Sequence, residues 1–182
     1  MRPPFLTVGH SNRSLPDFIG LLKEAGVARV VDIRKLPRSR SNPQFNQETL
    51  AGALAPAIGY EHLQGLGGRR AKVPRSSPEV NGFWTNRSFH NYADYALTAP
   101  FHAAFAHLLE QGRHRCCAIM CAEAVWWRCH RRIVTDYLLA HGETVLHIMG
   151  PGRLEPAHLT AGALIQPAGT VVYPAAPPGE PA

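Results

Sequence analysis

The chain lacks the features that mark membrane and secreted proteins. No apolar run approaches the roughly 20 residues that a membrane helix needs, and the amino end, Met1 to Pro4, lacks the basic-then-apolar order of a signal peptide. The four cysteines, two of them adjacent at Cys116 and Cys117, do not form the spaced framework of a secreted disulfide scaffold. We therefore expect a cytoplasmic protein without membrane contact, whose thiols are reduced.

Acidic residues are also few. The chain has 13 Asp and Glu against 19 Lys and Arg, which gives a formal net charge of +6. This excess favours anionic partners such as phosphate groups, nucleotides or nucleic acid. With 182 residues, the chain is long enough to bury a core without disulfides or structural metals. The sequence predicts no cofactor.

What the chain does contain is an alternation of strands and helices. An apolar strand at residues 5–9 is followed by a helix that Ser14 caps and Gly26 ends, and then by a β-branched strand at residues 29–33. This order makes a parallel βαβ unit. Further strands are predicted at residues 116–120 and 144–148.

The predicted fold is a single three-layer α/β domain over residues 1–173. Its sheet is largely parallel and Rossmann-like, with about four to six strands and helices on both faces. The Pro- and Ala-rich tail, residues 174–182, is predicted to be disordered.

A Gly- and Arg-rich stretch, residues 59–90, follows a second predicted helix at residues 47–58 and shows no sustained period. A long irregular connection of this kind is typical of a lid or a binding loop. Its cations, Arg69 among them, alternate with Phe83 and Trp84, as phosphate contacts and base-stacking platforms would. A solvated surface loop with two anchoring aromatic side chains fits the pattern equally well.

Polar side chains follow three of the predicted strands. Ligands of parallel sheets bind beyond the carboxyl ends of the strands, where the connecting loops meet. The residues at these ends are His10, Ser11 and Asn12 after the first strand, Asp32, Arg34, Arg38 and Arg40 at the second, and Cys121 and Glu123 after the third. We expect them to form one pocket for an anionic ligand, because arginine binds phosphate bidentately.

The segment Cys121 to Arg131, Cys-Ala-Glu-Ala-Val-Trp-Trp-Arg-Cys-His-Arg, concentrates reactive groups at a strand-to-helix turn. Such a turn stabilises a thiolate, so Cys121 is the predicted nucleophile. A helix from Trp126 to His141 would direct His130 toward the sheet and Arg131 toward the other side. The loop of cysteine phosphatases requires five residues between cysteine and arginine, whereas six separate Cys121 from Arg128.

These residues also have structural interpretations. Glu123 is a general acid or base, a hydrogen-bond acceptor for a sugar hydroxyl, or a carboxylate that stabilises the first turn of a helix. Asp32 is either a catalyst or the ion-pair partner of Arg34 or Arg131, and His130 is either a site residue or a hydrogen-bonded core histidine.

The two cysteines of this segment leave further alternatives open. Cys121, Cys129 and His130 have poor spacing for zinc and would need a fourth ligand such as His10. A reversible disulfide between Cys121 and Cys129 is a further hypothesis, and it requires Cα atoms within about 7 Å of each other.

The order of the motifs resembles a known family. The motifs are Val8 to Asn12, Val31 to Arg34, Pro37 to Arg40 with Pro43 to Asn46, Leu66 to Arg69, Met120 to Glu123 and Cys129 to Arg131. Over about residues 7 to 165 they resemble the bacterial and archaeal family called domain of unknown function 488. The resemblance implies a compact α/β domain with a polar pocket, and it implies no particular reaction. It supports as pocket residues Asp32, Arg34, Cys121, Glu123, Cys129, His130 and Arg131.

Together these patterns favour an enzyme that hydrolyses or transfers a group of a nucleotide, a nucleic acid or another phosphorylated substrate. The predicted catalytic residues are Cys121, Glu123, His130 and Asp32. The predicted substrate-binding residues are His10, Ser11, Asn12, Arg34, Arg38, Arg40, Arg69, Cys129 and Arg131. Two alternatives stay open: a non-catalytic nucleic-acid-binding module, and a thiol-redox or metal-binding protein.

Overall fold

A six-stranded sheet forms the centre of the protein in a computed structural model, which describes residues 1–74 and 76–177. The strands are β1 (Phe5–Gly9), β2 (Arg29–Asp32), β3 (Gly59–His62), β4 (Cys117–Cys121), β5 (Val145–Gly150) and β6 (Arg153–Pro156). They lie in the order β3-β2-β4-β1-β5-β6. All neighbours pair in parallel except β5 and β6, which pair antiparallel. Two short strands, β7 (Leu164–Ile165) and β8 (Val171–Val172), form a separate antiparallel pair.

Helices cover both faces of the six-stranded sheet. They are α1 (Leu15–Glu24), α2 (Gln47–Leu54), α3 (Arg87–Tyr95), α4 (Ala99–His114) and α5 (Arg131–Ala140). Successive side chains of a strand point to opposite faces, so Val30 of β2 packs with the α1 and α2 side chains, whereas Val31 packs with those of α3, α4 and α5. The predicted three-layer α/β fold with a largely parallel sheet is confirmed.

Local sequence explains the crossover from β1 to β2. The Ser14 side chain accepts a hydrogen bond from the Asp17 N–H at 3.2 Å and so caps α1. Phe18, Leu21 and Leu22 form the buried face of the helix. Gly26 ends the turn with φ of 71°, a left-handed conformation that glycine adopts without strain. The chain then enters β2, which runs parallel to β4 and is separated from β1 by that strand.

The sequence pattern predicted one irregular loop over residues 59–90. The structure instead shows a strand and the start of a helix within this range. β3 occupies Gly59–His62, and α3 begins at Arg87. The preceding helix is also shorter than predicted: it ends at Leu54, because Ala55 is extended and precedes a proline.

Phe83 and Trp84 are anchoring side chains in the structure. Trp84 is 7% exposed, and its ring stacks on Phe89 with centroids 4.8 Å apart. The guanidinium of Arg132 lies 5.0 Å from the Trp84 ring. This packing leaves no open face of Trp84 on which a base could stack. The geometry therefore supports the interpretation of these two aromatic residues as anchors of the segment.

The helix predicted to start at Trp126 begins five residues later. A 3-10 turn, Trp126–Arg128, comes first, then Cys129 with extended backbone (φ −127°, ψ 149°), and α5 starts at Arg131. The break at Cys129 changes which side chains face the sheet, with consequences for the site.

Two further predictions concern the chain ends and the membrane. Arg75 and residues 178–182, the last part of the predicted disordered tail, lie outside the described residues. The domain boundary at residue 173 stays a prediction. None of the helices in the described ranges combines the length and apolarity needed to cross a membrane.

Candidate functional site

A cavity of about 530 Å³ opens beyond the carboxyl ends of β2 and β4. Its walls come from the segments after these two strands, from the turn at Gly68, from the first turn of α3 and from the segment before α5. This is the edge of the sheet at which the sequence predicted a pocket. The volume is typical of a small-molecule site, which holds about 300 to 1,000 Å³.

Cations dominate the cavity wall. Its basic residues are Arg34, Lys35, Arg38, Arg69 and Arg128, and Glu123 is its carboxylate. All of these basic side chains except Arg34 are exposed. A concave surface with this charge favours an anionic ligand.

A buried ion pair fixes Arg34 behind the wall. Arg34 donates to the Asp32 carboxylate through Nε at 2.9 Å and through a terminal nitrogen at 2.6 Å. The Tyr60 hydroxyl donates to the same carboxylate at 2.6 Å. Asp32 is fully buried and both of its oxygens accept hydrogen bonds. The structure therefore shows the ion-pair interpretation of Asp32, while its catalytic role stays a prediction.

His10 supports the same network from β1. Its Nδ1 donates to the Ser11 carbonyl at 2.7 Å, and its Nε2 accepts from Arg34 at 3.3 Å. The ring stacks on Phe45 with centroids 4.2 Å apart. Burial lowers the pKa of His10 to about 4, so the imidazole is neutral at pH 7 and can accept the hydrogen bond from Arg34.

Cys129 lies where α5 begins and faces the cavity. The backbone N–H of Arg131 donates to the Cys129 sulfur at 3.4 Å, as it would to the cap of a helix. His130 Nδ1 lies 3.5 Å from the same sulfur. His130 Nε2 donates to the Ile33 carbonyl at 2.8 Å, which fixes the ring orientation. The thiol, the imidazole and the carbonyl reproduce the arrangement of nucleophile, base and orienting group that nucleophilic catalysis uses.

Arg131 is buried beside these thiols. The sequence pattern predicted that it would point away from the sheet, and this prediction is wrong. It is 1% exposed, because α5 starts after the break at Cys129 and not at Trp126. One terminal nitrogen donates to the Glu123 carbonyl, and Nε has no partner. Among the described residues, no carboxylate forms an ion pair with Arg131. A buried cation needs a counter-charge, and the thiols are the acidic groups in contact with it.

The two thiols therefore differ in acidity. Burial would raise the pKa of Cys129, but the hydrogen bond from Cys121, the charge of His130 and the guanidinium of Arg131 together lower it well below its usual value. Burial raises the pKa of Cys121 well above its usual value, and its role as donor to Cys129 raises it further. These directions favour Cys129 as the thiol of the pair that ionises first, and the predicted role of Cys121 as nucleophile stays a prediction.

The structure brings together some of the predicted site residues and not others. Those that line the cavity are Arg34, Arg38, Arg69, Cys121, Glu123, Cys129 and His130. His10, Asp32 and Arg131 support the lining residues from beneath. Ser11, Asn12 and Arg40 do not line the cavity. In the described part of the chain, no group of three or more His, Cys, Asp or Glu residues could hold a metal ion.

Two residues that contact the side chains of the site had no predicted role. Tyr60 belongs to β3, a strand that the sequence pattern did not reveal. Gly68 packs against the His130 ring so closely that a Cβ there would lie 2.7 Å from Nδ1. Its motif, Leu66 to Arg69, was visible in the sequence, but only the fold shows which side chain it contacts.

Comparison with known families identifies the part of the chain that contains all but the first of the sequence motifs. The family model described as Domain of unknown function DUF488 matches residues 14–138. The chain belongs to the DUF488 family. The matched range includes Asp32, Arg34 and the segment from Cys121 to Arg131, so the cavity of this DUF488 protein is built largely from family sequence. Searches of the curated proteins and of the solved structures gave no match.

Proposed function

We propose that the protein is an enzyme that acts on a nucleotide, a nucleic acid or another phosphorylated substrate through a nucleophilic thiolate at Cys129. One observation carries the proposal: buried Arg131 has no carboxylate partner among the described residues, and the acidic groups that act on its charge are the thiols of Cys121 and Cys129. Pairing with a thiolate satisfies that charge. A thiolate that lines a cationic cavity is suited to covalent catalysis on an anionic substrate.

The exposed cations of the wall bind the phosphate of the substrate. Arg38, Arg69 and Arg128 offer planar guanidinium groups, which match phosphate oxygens bidentately, and Lys35 adds a point charge. Arg34 is already bound to Asp32 and shapes the wall. The substrate therefore binds by its phosphate, with the reacting atom above Cys129.

Cys129 carries the covalent step. Its thiolate forms a bond to the electrophilic atom of the substrate, and the leaving group departs with the electron pair of the broken bond. Water in a hydrolase, or a second substrate in a transferase, then accepts the transferred group and the thiolate returns. His130 holds its Nδ1 against the sulfur and stabilises the thiolate when protonated. Glu123, exposed on the wall, supplies or removes the proton of the leaving group or water.

Protection of Cys129 from alkylation tests this proposal without knowledge of the substrate. Iodoacetamide labelling of Cys129 is followed by mass spectrometry in the presence of inorganic pyrophosphate, ATP, a short single-stranded oligonucleotide or an uncharged nucleoside. We expect the phosphorylated probes to slow labelling and the nucleoside to leave it unchanged. Acid-quenched protein should carry a covalent adduct on Cys129 with a true substrate. Equal labelling with and without every phosphorylated probe would contradict the proposal.

Charge variants sharpen the same experiment. Arg38→Gln and Arg128→Gln should weaken the protection, because both side chains line the cavity. Arg113→Gln is the matched control, since this exposed arginine ends α4 before β4 begins and so lies at the opposite edge of the sheet.

A binding function without catalysis is the second candidate, and Trp127 favours it. Trp127 is 45% exposed next to Arg128 of the cavity wall, and an exposed aromatic beside cations can stack a base of a single strand. A module of this kind would bind an oligonucleotide with affinity that falls steeply with salt and survives Cys129→Ser. An adduct on Cys129 decides in favour of the enzyme.

The thiols also bear on the compartment. All four cysteines are free thiols in the structure. Free thiols are the normal state in a reducing compartment, which supports the proposal that the protein acts in the cytoplasm.

A further inference from the structure

The proposed reaction leaves one buried nucleophile without a role. Cys121 is the last residue of β4, is 3% exposed and lines the same cavity as Cys129. Its thiol lies close enough to the Cys129 sulfur for the two to influence each other's pKa. An alanine would satisfy the packing at this strand end, and a serine would also satisfy a hydrogen bond. A second thiol in contact with a thiolate has chemistry that neither of these residues offers.

We propose that Cys121 and Cys129 form a peroxide-responsive pair, in which Cys129 is oxidised first and Cys121 resolves it to a disulfide. The Cys129 thiolate attacks a peroxide oxygen: an S–O bond forms, the O–O bond breaks, and the leaving alkoxide or hydroxide takes up a proton. Cys129 is then a sulfenic acid. Cys121 attacks its sulfur, the S–S bond forms, the S–O bond breaks, and hydroxide leaves with the Cys121 proton as water. In sum, two thiols and one peroxide give a disulfide, one alcohol or water molecule from the peroxide, and one water molecule from the sulfenic acid.

The geometry assigns the two roles. Cys129 faces the cavity with His130, Arg131 and the amino end of α5 against its sulfur, the surroundings that make a cysteine susceptible to peroxide. Cys121 is buried, lines the same cavity and is the thiol of the pair whose pKa is raised, so it is the group that resolves an oxidised Cys129.

The other two cysteines are unsuited to resolve Cys129. Cys117 begins β4, four residues before Cys121, so about 13 Å of strand separates them. Cys116 precedes it and lies against the Pro4 carbonyl at the opposite edge of the sheet. A disulfide requires Cα atoms about 4.4 to 6.8 Å apart, so only Cys121 is a candidate among the four.

Oxidation would remove the nucleophile and the counter-charge of Arg131 together. The protein would lose the activity proposed above and regain it when a dithiol reduces the disulfide. This inference shares the Cys129 thiolate with the proposed function, but it needs neither the cationic wall nor a phosphorylated substrate. Failure of one can therefore be distinguished from failure of the other.

Peptide mapping tests the pair directly. Trypsin cuts after Arg128 and Arg131, which places Cys129 in the tripeptide 129–131 and Cys121 in the peptide 116–128. The variant Cys116→Ala, Cys117→Ala makes any crosslink between these peptides unambiguous, and the wild-type chain is run beside it. After one equivalent of hydrogen peroxide and blocking of free thiols, we expect the two peptides to be joined with the loss of two hydrogen atoms, and separated again by dithiothreitol.

Two controls make the outcome decisive. In Cys121→Ser, oxidation should stop at a Cys129 sulfenic acid that dimedone traps, and further peroxide should convert it irreversibly to the sulfinic acid. Wild-type protein that accumulates sulfenic or sulfinic acid at Cys129 without the crosslink overturns the inference and leaves the proposed function intact. A Cys129 that reacts with neither peroxide nor iodoacetamide overturns both.

Discussion

Removal of Cys129 should destabilise the protein, because Arg131 would stay buried without a counter-charge. A buried pair that loses one partner leaves an uncompensated charge, which costs about 3–5 kcal/mol. We therefore expect Cys129→Ser to lower the free energy of unfolding by about this amount at pH 8, since Arg131 is 1% exposed and has no ion pair with a carboxylate in the described residues. Arg131→Met should act on the thiol instead, because the remaining Cys129 can take up a proton.

The direction of that second effect follows from the charge of the guanidinium. Arg131 is one of the groups that lower the pKa of Cys129, because a nearby cation favours the thiolate. Arg131→Met should therefore raise the pKa of Cys129. The double variant should be more stable than the sum of the two single effects predicts, by about 2–3 kcal/mol.

Urea denaturation of the wild-type protein, the two single variants and the double variant gives the coupling free energy between Arg131 and Cys129. The same cycle with Cys117→Ser in place of Cys129→Ser is the control. Cys117 starts β4 at the far edge of the sheet, so its effect should add to that of Arg131→Met within about 0.5 kcal/mol.

The pH dependence of the contribution of Cys129 to stability has a defined sign. Because the pKa of Cys129 is lower in the folded protein, its contribution is complete above about pH 8.5, the free-thiol value, and is lost as pH falls through the folded pKa. Additive effects of Cys129→Ser and Arg131→Met at pH 8 would refute the pairing.

Three further predictions follow from other contacts. Asp32→Asn should lower the free energy of unfolding by about 3–5 kcal/mol in urea denaturation, because Arg34 loses its buried counter-charge. Gly68→Ala should slow iodoacetamide labelling of Cys129, because the new Cβ would lie 2.7 Å from His130 Nδ1 and displace the ring. Burial lowers the pKa of His147 from 6.5 to about 4, so the stability that its neutral form contributes should be complete above about pH 6.5 and lost as pH falls through about 4. His147→Gln should flatten the stability profile in that window, as thermal unfolding at several pH values would show.

Matched substitutions separate these effects from general damage. Asp17→Asn removes an exposed carboxylate from the first turn of α1 and should cost only about 0.3–1 kcal/mol. A similar loss for Asp32→Asn would contradict the buried ion pair. Gly52→Ala places a Cβ in open space on α2, so it should stabilise the protein by about 0.5–1 kcal/mol and leave Cys129 labelling unchanged. If Cys129 is labelled as fast in the Gly68→Ala variant as in the Gly52→Ala variant, the packing of Gly68 on His130 does not position the imidazole.

The sequence was sufficient for the fold and for the edge of the sheet that holds the site. Apolar runs that end in polar residues, as Phe5 to Asn12 does, identify parallel strands and also the side on which their loops converge. β3 escaped detection because its residues, Gly-Tyr-Glu-His, are only partly buried at the edge of the sheet and carry no apolar run. Tyr60 and its contact with Asp32 were therefore not predictable from the pattern.

The roles of the two cysteines could not be read from spacing. No helix breaker separates Trp126 from His130, so the pattern predicted one continuous helix with Arg131 turned away from the sheet. The extended backbone at Cys129 moves the start of α5 and brings Arg131 beneath the thiols. A helix that begins only a few residues later therefore underlies our proposal of Cys129, rather than Cys121, as the nucleophile. Such a change depends on tertiary contacts that residue types alone do not encode.

The pH dependence of alkylation at Cys129 is the most direct measurement of the central claim. Labelling rates with iodoacetamide, resolved by peptide for Cys121 and Cys129, report the thiolate fraction of each sulfur. Cys129 should react at a constant rate down to a pH well below about 8.5, and Cys121 should stay unlabelled over the same range. A Cys129 that titrates at or above about 8.5, or a Cys121 that reacts first, would contradict the assignment of the thiolate and the function built on it.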